Sequence, residues 1–129
     1  MTLSVGQMRD IAVESYFGSV AKGDGKTVAS LFAEDAVMRV MSAGIAYQGK
    51  SAIVEHFDDF LRVYERISFA DFVTTADEAA QRVAVQFTIT LIAGSDRIVM
   101  TNCNFFQFDD AGLVRDVAIY MSDLPKAGF

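Results

Sequence analysis

In VAVQFTITL, residues 83–91, apolar side chains stand at every second position: Val83, Val85, Phe87, Ile89 and Leu91. Gln86, Thr88 and Thr90 share the other face. This alternation fits a strand with one buried and one wetter side, because successive side chains of a strand point in opposite directions. Similar stretches flank it. ISFADFVTT (67–75) leads in through the turn ADEAA, AGSD leads on to VMTNCNFFQF (99–108), and DDAG leads to LVRDVAIYM (113–121). Strands joined by such short turns predict an antiparallel meander. Val83, Val85, Phe87, Ile89 and Leu91, continued by Val117, Ile119 and Met121, are expected to face inward. Their cover must come from the first half of the chain.

That half runs on a helical period. Ser4 and Gln7 stand at capping-box spacing, and apolar residues follow at Val5, Met8, Ile11, Ala12, Tyr16 and Val20. AKGDGKT interrupts them, and TVASLFAED predicts a short second helix that buries Val28, Leu31 and Phe32. VMRVM (37–41) reads as a strand and SAGIAYQG (42–49) as a loop. The third helix, KSAIVEHFDDFLRVYERI, is expected to be capped by Ser51. Ile53, Val54, Phe57, Phe60, Leu61, Val63 and Tyr64 form its apolar arc, opposite Glu55, Asp58, Asp59, Arg62, Glu65 and Arg66. Helices followed by a meander give an α+β class, with three N-terminal helices on one face of an antiparallel sheet. With no linker, repeat or low-complexity segment, residues 1–129 read as a single domain.

Polar residues interrupt the apolar faces at a few positions. His56 falls inside the third helix's apolar arc. On the strand 99–108, Asn102 and Asn104 share a face with Met100, Phe106 and Phe108, while Val99, Thr101, Cys103, Phe105 and Gln107 take the other. A buried amide needs partners, so the asparagines belong to an internal network or to something bound inside. Each residue also has a plain structural reading. A core tyrosine such as Tyr16 finds a carbonyl for its hydroxyl, a histidine packs, and asparagines tie loops together.

Much other chemistry is excluded. With 11 basic and 17 acidic residues the net charge is −6, which argues against nucleic acid or an anionic membrane as partner. No apolar run approaches the roughly 18 residues of a membrane span. MTLSVGQMRD lacks the features of a signal peptide, and a lone cysteine, Cys103, cannot form an internal disulfide, so a cytoplasmic setting is expected. There is no glycine-rich phosphate loop, dinucleotide fingerprint or Gly-x-Ser-x-Gly. One histidine and one cysteine do not make a usual zinc site. Asp58–Asp59 and Asp109–Asp110 read as a solvated helix face and a turn. No metal or cofactor is expected.

YFGSVAKGD, SLFAEDAV, YQGKSAIVEHF and FFQFDDAGLVRDV span nearly the whole chain in order. Together they resemble the nuclear transport factor 2-like superfamily, which includes the SnoaL-like polyketide cyclases and ketosteroid isomerase. The resemblance implies a cone: three helices closing over a strongly curved sheet, with an apolar pocket for a small, largely hydrophobic molecule. Against ketosteroid isomerase, the oxyanion tyrosine matches Tyr16, and the second oxyanion donor, a protonated aspartate in that enzyme, matches Asn104. The general-base aspartate falls at Val40, which cannot move a proton. The tyrosine supporting the oxyanion pair falls at Phe57, and a pocket phenylalanine falls at His56. An imidazole there, with a reference pKa near 6.5, suits proton transfer at neutral pH.

The implied site therefore has His56 as acid or base and Tyr16 and Asn104 as oxyanion donors. Asn102, Val40, Phe57, Phe60, Phe87, Ile89, Phe106, Val117 and Ile119 would line the pocket. The implied chemistry is proton transfer next to a carbonyl, of the isomerase, cyclase or dehydratase type. The alternatives are a non-catalytic ligand-binding or dimerisation module, or an epoxide hydrolase. The last needs an Asp-Arg-Asp set, for which Arg39 is available but falls on the face opposite Val40. A homodimer through the outer sheet face, where Cys103 and Phe105 lie, is expected as in relatives.

Overall fold

A computed structural model describes residues 2–123; Met1 and residues 124–129 of the expected single domain lie outside the described residues. The first helix begins at Val5–Asp10, where the Ser4 hydroxyl accepts from the Gln7 amide (3.1 Å) and the Gln7 side chain accepts from the Ser4 amide (2.8 Å). It continues through a wide π turn, Ile11–Phe17, and ends with Gly18–Ala21. Val13, Tyr16, Phe17 and Val20 form its buried stripe, spaced as neighbours on one helix face. Val5, expected inside, is 46% exposed, while Leu3 and Met8 to either side of it are buried.

The second helix is shorter than expected, Gly25–Ser30, capped by the Asp24 carboxylate on the Thr27 amide (3.1 Å). Its expected tail belongs instead to strand β1, Phe32–Val40. There Phe32 pairs with Val114, and the Leu31 carbonyl accepts from the Val114 amide at 2.8 Å. Sheet pairing takes these backbone groups before a helix can. The expected loop 42–49 contains a further strand, β2 (Ile45–Gln48), which pairs back on β1 after a turn at Gly44. The third helix is Lys50–Val63. Its N-cap is Gly49, not Ser51. Gly49 sits at φ +87°, a conformation closed to other residues at little cost, and its amide donates to the Ala36 carbonyl (2.7 Å). Tyr64 is already extended and leads into the sheet.

Strands β3 (Arg66–Asp77), β4 (Arg82–Ala93), β5 (Asp96–Phe108) and β6 (Val114–Tyr120) form the meander. The six strands lie in the order β2-β1-β6-β5-β4-β3. The sheet is mixed and not wholly antiparallel, because β1 runs parallel to β6. The long connection through the third helix and the meander gives β6 room to arrive in that direction. Register shifts at Phe32/Val37, Ala70/Val73 and Gln107/Phe108 bend the sheet, as bulges do.

The three helices fill the concave face. Val83, Val85, Phe87, Ile89 and Leu91 are all buried there, as the alternation requires. Thr88, Thr90, Cys103 and Phe105 are only part-buried on the outer face, where Val99 and Tyr120 are exposed. Among the described residues no helix is long and apolar enough to cross a membrane.

Candidate functional site

A band across the concave face is left hollow. Met38 from β1, Phe69 from β3, Phe87 and Ile89 from β4, Asn102 and Asn104 from β5, and Ile119 with Met121 from the end of β6 form its floor. Tyr16, Phe17 and Val20 of the first helix and His56, Phe57 and Phe60 of the third form its roof. About 50 Å³ inside is open to water-sized molecules, room for a few waters at roughly 10–15 Å³ each. A larger guest must part the walls. The unbranched side chains of Met38 and Met121 are the ones best able to yield.

The polar groups of this cavity are two amides, a phenol and an imidazole; no charged side chain lines it among the described residues. Pairing fixes the amides. Asn102 stands opposite Phe87, and Asn104 stands between Val85 and Ile119. Both are buried, Asn102 at 4% and Asn104 at 3% exposure. Asn102 is anchored, since its Oδ1 accepts from the Ser122 amide at 3.3 Å. Asn104 is not: its Oδ1 is buried with no hydrogen-bond partner. Leaving such an acceptor unpaired costs about 1–3 kcal/mol.

Tyr16 enters from the π turn, a helical irregularity that recurs at functional sites. Its ring meets Phe17 and Phe106 edge-on, with centroids 4.9 and 5.0 Å away. Burial pushes its ionisation far above the usual tyrosine range, so it stays a neutral donor. His56 is 7% exposed. It stacks on Tyr47 at 4.4 Å with planes 28° apart, beside Phe57 and Phe60. Burial lowers its pKa to about 4, against a smaller opposing pull from Asp59. The ring is therefore neutral at pH 7, with a lone pair available.

Of the residues expected at the pocket, His56, Tyr16, Asn104, Asn102, Phe57, Phe60, Phe87, Ile89 and Ile119 meet at this cavity. Val40, Phe106 and Val117 do not. Each is fully buried away from the cavity: Phe106 lies between Val83 and Val117, and Val40 between Ile45 and Ile119. On β1 the side chain that reaches the cavity is Met38, two residues before Val40 on the same face. Phe17, Val20, Met38, Phe69 and Met121 were not anticipated as lining residues. Phe17 and Val20 flank Tyr16 on its own helix face, and Phe69 pairs with Ile89, so spacing and strand register were the available signals.

Arg39 turns outward and holds Asp116 at 2.6 Å. No carboxylate lines the cavity among the described residues, so the Asp-Arg-Asp set of epoxide opening is not assembled there. No group of three or more His, Cys, Asp or Glu among them is placed to hold a metal. Asp109 serves its turn, its carboxylate accepting from the amides of Ala111 and Leu113 (both 2.9 Å).

Solved structures share this architecture. A putative polyketide cyclase from Xanthomonas campestris pv. campestris superposes with a TM-score of 0.77 at 22% identity, covering 88% of this chain and 90% of the other. BvnE pinacolase from Penicillium brevicompactum gives 0.79 at 16% identity, over 92% and 89%. An M. tuberculosis LEH-like epoxide hydrolase gives 0.72 at 22%, over 89% and 83%. At these identities the likeness is one of fold. No curated protein matches the sequence. A family model, described as the SnoaL-like domain, matches residues 13–117, which takes in the first helix's cavity residues, both asparagines and most of the sheet. The chain belongs to the SnoaL-like domain family.

Proposed function

We propose that the protein binds a small, largely hydrophobic carbonyl compound in the cavity and transfers a proton at the carbon next to the carbonyl, in an isomerase, cyclase or dehydratase type of reaction. The observation that carries this reading is the unpaired amide oxygen of Asn104. A side chain of similar shape without polar atoms would make a more stable core at that point. Its retention fits a polar guest: a donor on the guest would satisfy the oxygen as it stands, and the amide turned end for end offers its nitrogen to a carbonyl instead.

The roles follow from the chemistry of each group. His56, neutral at pH 7, takes the proton. The Tyr16 hydroxyl and the Asn104 amide nitrogen donate to the oxygen on which negative charge then develops. That charge in turn favours the protonated imidazole, which offsets the low basicity that burial imposes on it. Asn102, held by Ser122, orients the guest. A second reading, binding without turnover, is favoured by Val40 standing where ketosteroid isomerase has its base.

The test uses cyclohexanone and methylcyclohexane as a matched pair. The ketone should raise Tm more than the hydrocarbon, and Asn104→Leu should abolish that preference. Asn104→Leu should itself raise the Tm of the free protein, since it removes the orphan acceptor. In D2O the protein should accelerate exchange of the ketone's α-protons, with Tyr16→Phe and Asn104→Ala each slowing exchange by up to about 10²–10³. A preference for the ketone without exchange would establish the binding reading, and no preference at all would overturn both.

A further inference from the structure

His56 is not only a wall of the cavity. It also lines a groove on the outside of the third helix, about 520 Å³ in volume, together with Tyr47, Ala52, Glu55, Asp59 and Arg62. Of these, only His56 belongs to both spaces. Between the largely apolar cavity and the more polar outer groove stands, at this point, the imidazole ring. An imidazole is suited to that place because it has two nitrogens, and a proton gained at one can be lost from the other.

We propose that His56 is the proton port of the cavity, passing protons between the bound molecule and solvent in the outer groove, with Tyr47 as the positioning residue that fixes the ring in that place. This rests on the proton-transfer reading above. In the forward step the α-carbon–hydrogen bond of the guest breaks and a nitrogen–hydrogen bond forms on His56. The electron pair moves into the enolate, whose oxygen is held by Tyr16 and Asn104. The imidazolium then gives a proton to water in the groove, and the neutral ring is restored. Reprotonation runs the same path backwards, so hydrogen returned to the guest comes from solvent.

The surroundings suit that traffic. The stacked ring of Tyr47, on β2, covers one face of the imidazole. Tyr16 is the titratable group on the cavity side. On the groove side stand Glu55, Asp59 and Arg62 of the helix itself, with Asp59 and Arg62 paired at 3.0 Å. Asp59 lies one turn from His56 and pulls its pKa upward, as an anion stabilising a transient imidazolium must.

Because His56 is the sole histidine, its ring proton signal and its acylation by diethyl pyrocarbonate can be followed without ambiguity. Ala52→Phe is designed to fill the groove and Ile119→Phe to fill the cavity. The port requires that Ala52→Phe slow acylation of His56 tenfold or more, while Ile119→Phe leaves it within about twofold. The reverse pattern would place the ring's access on the cavity side and overturn the proposal. Tyr47→Ala should raise the His56 titration midpoint toward the free value, Tyr47→Phe should hold it, and Asp59→Asn should lower it. A midpoint indifferent to Tyr47→Ala would remove the positioning role. Exchange of cyclohexanone α-protons in D2O separates the two ideas. If His56→Ala exchanges as fast as the wild type, the catalytic reading fails. If only His56→Ala is slow and the groove-filled Ala52→Phe exchanges normally, that reading stands and the port fails.

Discussion

The concave face of the sheet has two characters along the same strands. Toward one end, Phe32, Val83, Phe106, Phe108, Val114 and Val117 are all buried to within 2%, and none of them lines the cavity. Across the band from Met38 through Ile119, Asn104 and Asn102 to Ile89, the face is still buried, at 0–8% exposure, but hollow, and it carries the polar groups. Solvent exposure separates the two only slightly, whereas the cavity and the polar groups separate them clearly. The solid stretch supplies stability, and the hollow stretch gives some of it up.

The largest expected effect lies in the solid stretch. Phe106→Ala should cost about 3–5 kcal/mol, the usual range for truncating a packed phenylalanine, because its ring meets both Tyr16 and Phe17. Ile119→Ala, beside existing empty space, should fall near the low end of the ~2–5 kcal/mol seen for such truncations. Urea unfolding of the two variants checks this. Equal losses would mean that the hollow band is as tightly packed as the rest and that the contrast is wrong.

The contrast also explains how much the sequence disclosed. Period-two alternation identified the inward face of β4 residue by residue, and helical spacing placed His56 on a buried arc, since both patterns depend only on local geometry. The parallel β1–β6 pairing was not legible, because it joins segments far apart in the chain, and strand β2, a short local hairpin back on β1, was hidden in a glycine-containing stretch with no clear alternation. Which inward residues meet empty space was legible only in part. Inward direction is a property of one strand, but a void depends on the sizes of side chains on several elements. So Val40 and Phe106 were expected at the cavity and are buried away from it, while Met38 and Phe69 line it. The polar intruders were the better guide, and Tyr16, His56, Asn102 and Asn104 all meet at the hollow band.

A second expected effect concerns pH. His56 has a folded-state pKa of about 4, below the ordinary 6.5 or so of the unfolded chain. Between those values the unfolded state binds the proton and the folded state does not, so stability falls as pH drops through that window and is complete above it. The drop from 6.5 to about 4 corresponds to roughly 3 kcal/mol at this largely buried ring. His56→Phe removes the titration. Compared by Tm at pH 7 and pH 4.5, the wild type should lose clearly more than the variant. Parallel losses would show that the imidazole is already hydrated, and that the hollow band is wetter than the solid one in more than shape.

The smallest effect belongs to the opposite side of the sheet, and it sharpens the contrast by bounding the site. Arg39 and Asp116 sit on neighbouring strands, two residues from direct opposition in the register, bonded at 2.6 Å but with both side chains substantially open to water. An exposed pair of this kind gains little, because solvent screens the attraction and both side chains lose freedom. Arg39→Ala should therefore change stability by no more than about 1 kcal/mol and weaken with added salt. Alternation on β1 also sets Arg39 on the face away from Met38, the residue that reaches the cavity. The Tm increase produced by cyclohexanone should accordingly be the same in Arg39→Ala as in the wild type. If it is lost, the arginine reaches the guest, and the boundary of the site must be redrawn to include an edge of the outer face, with an arginine-dependent reaction back in contention.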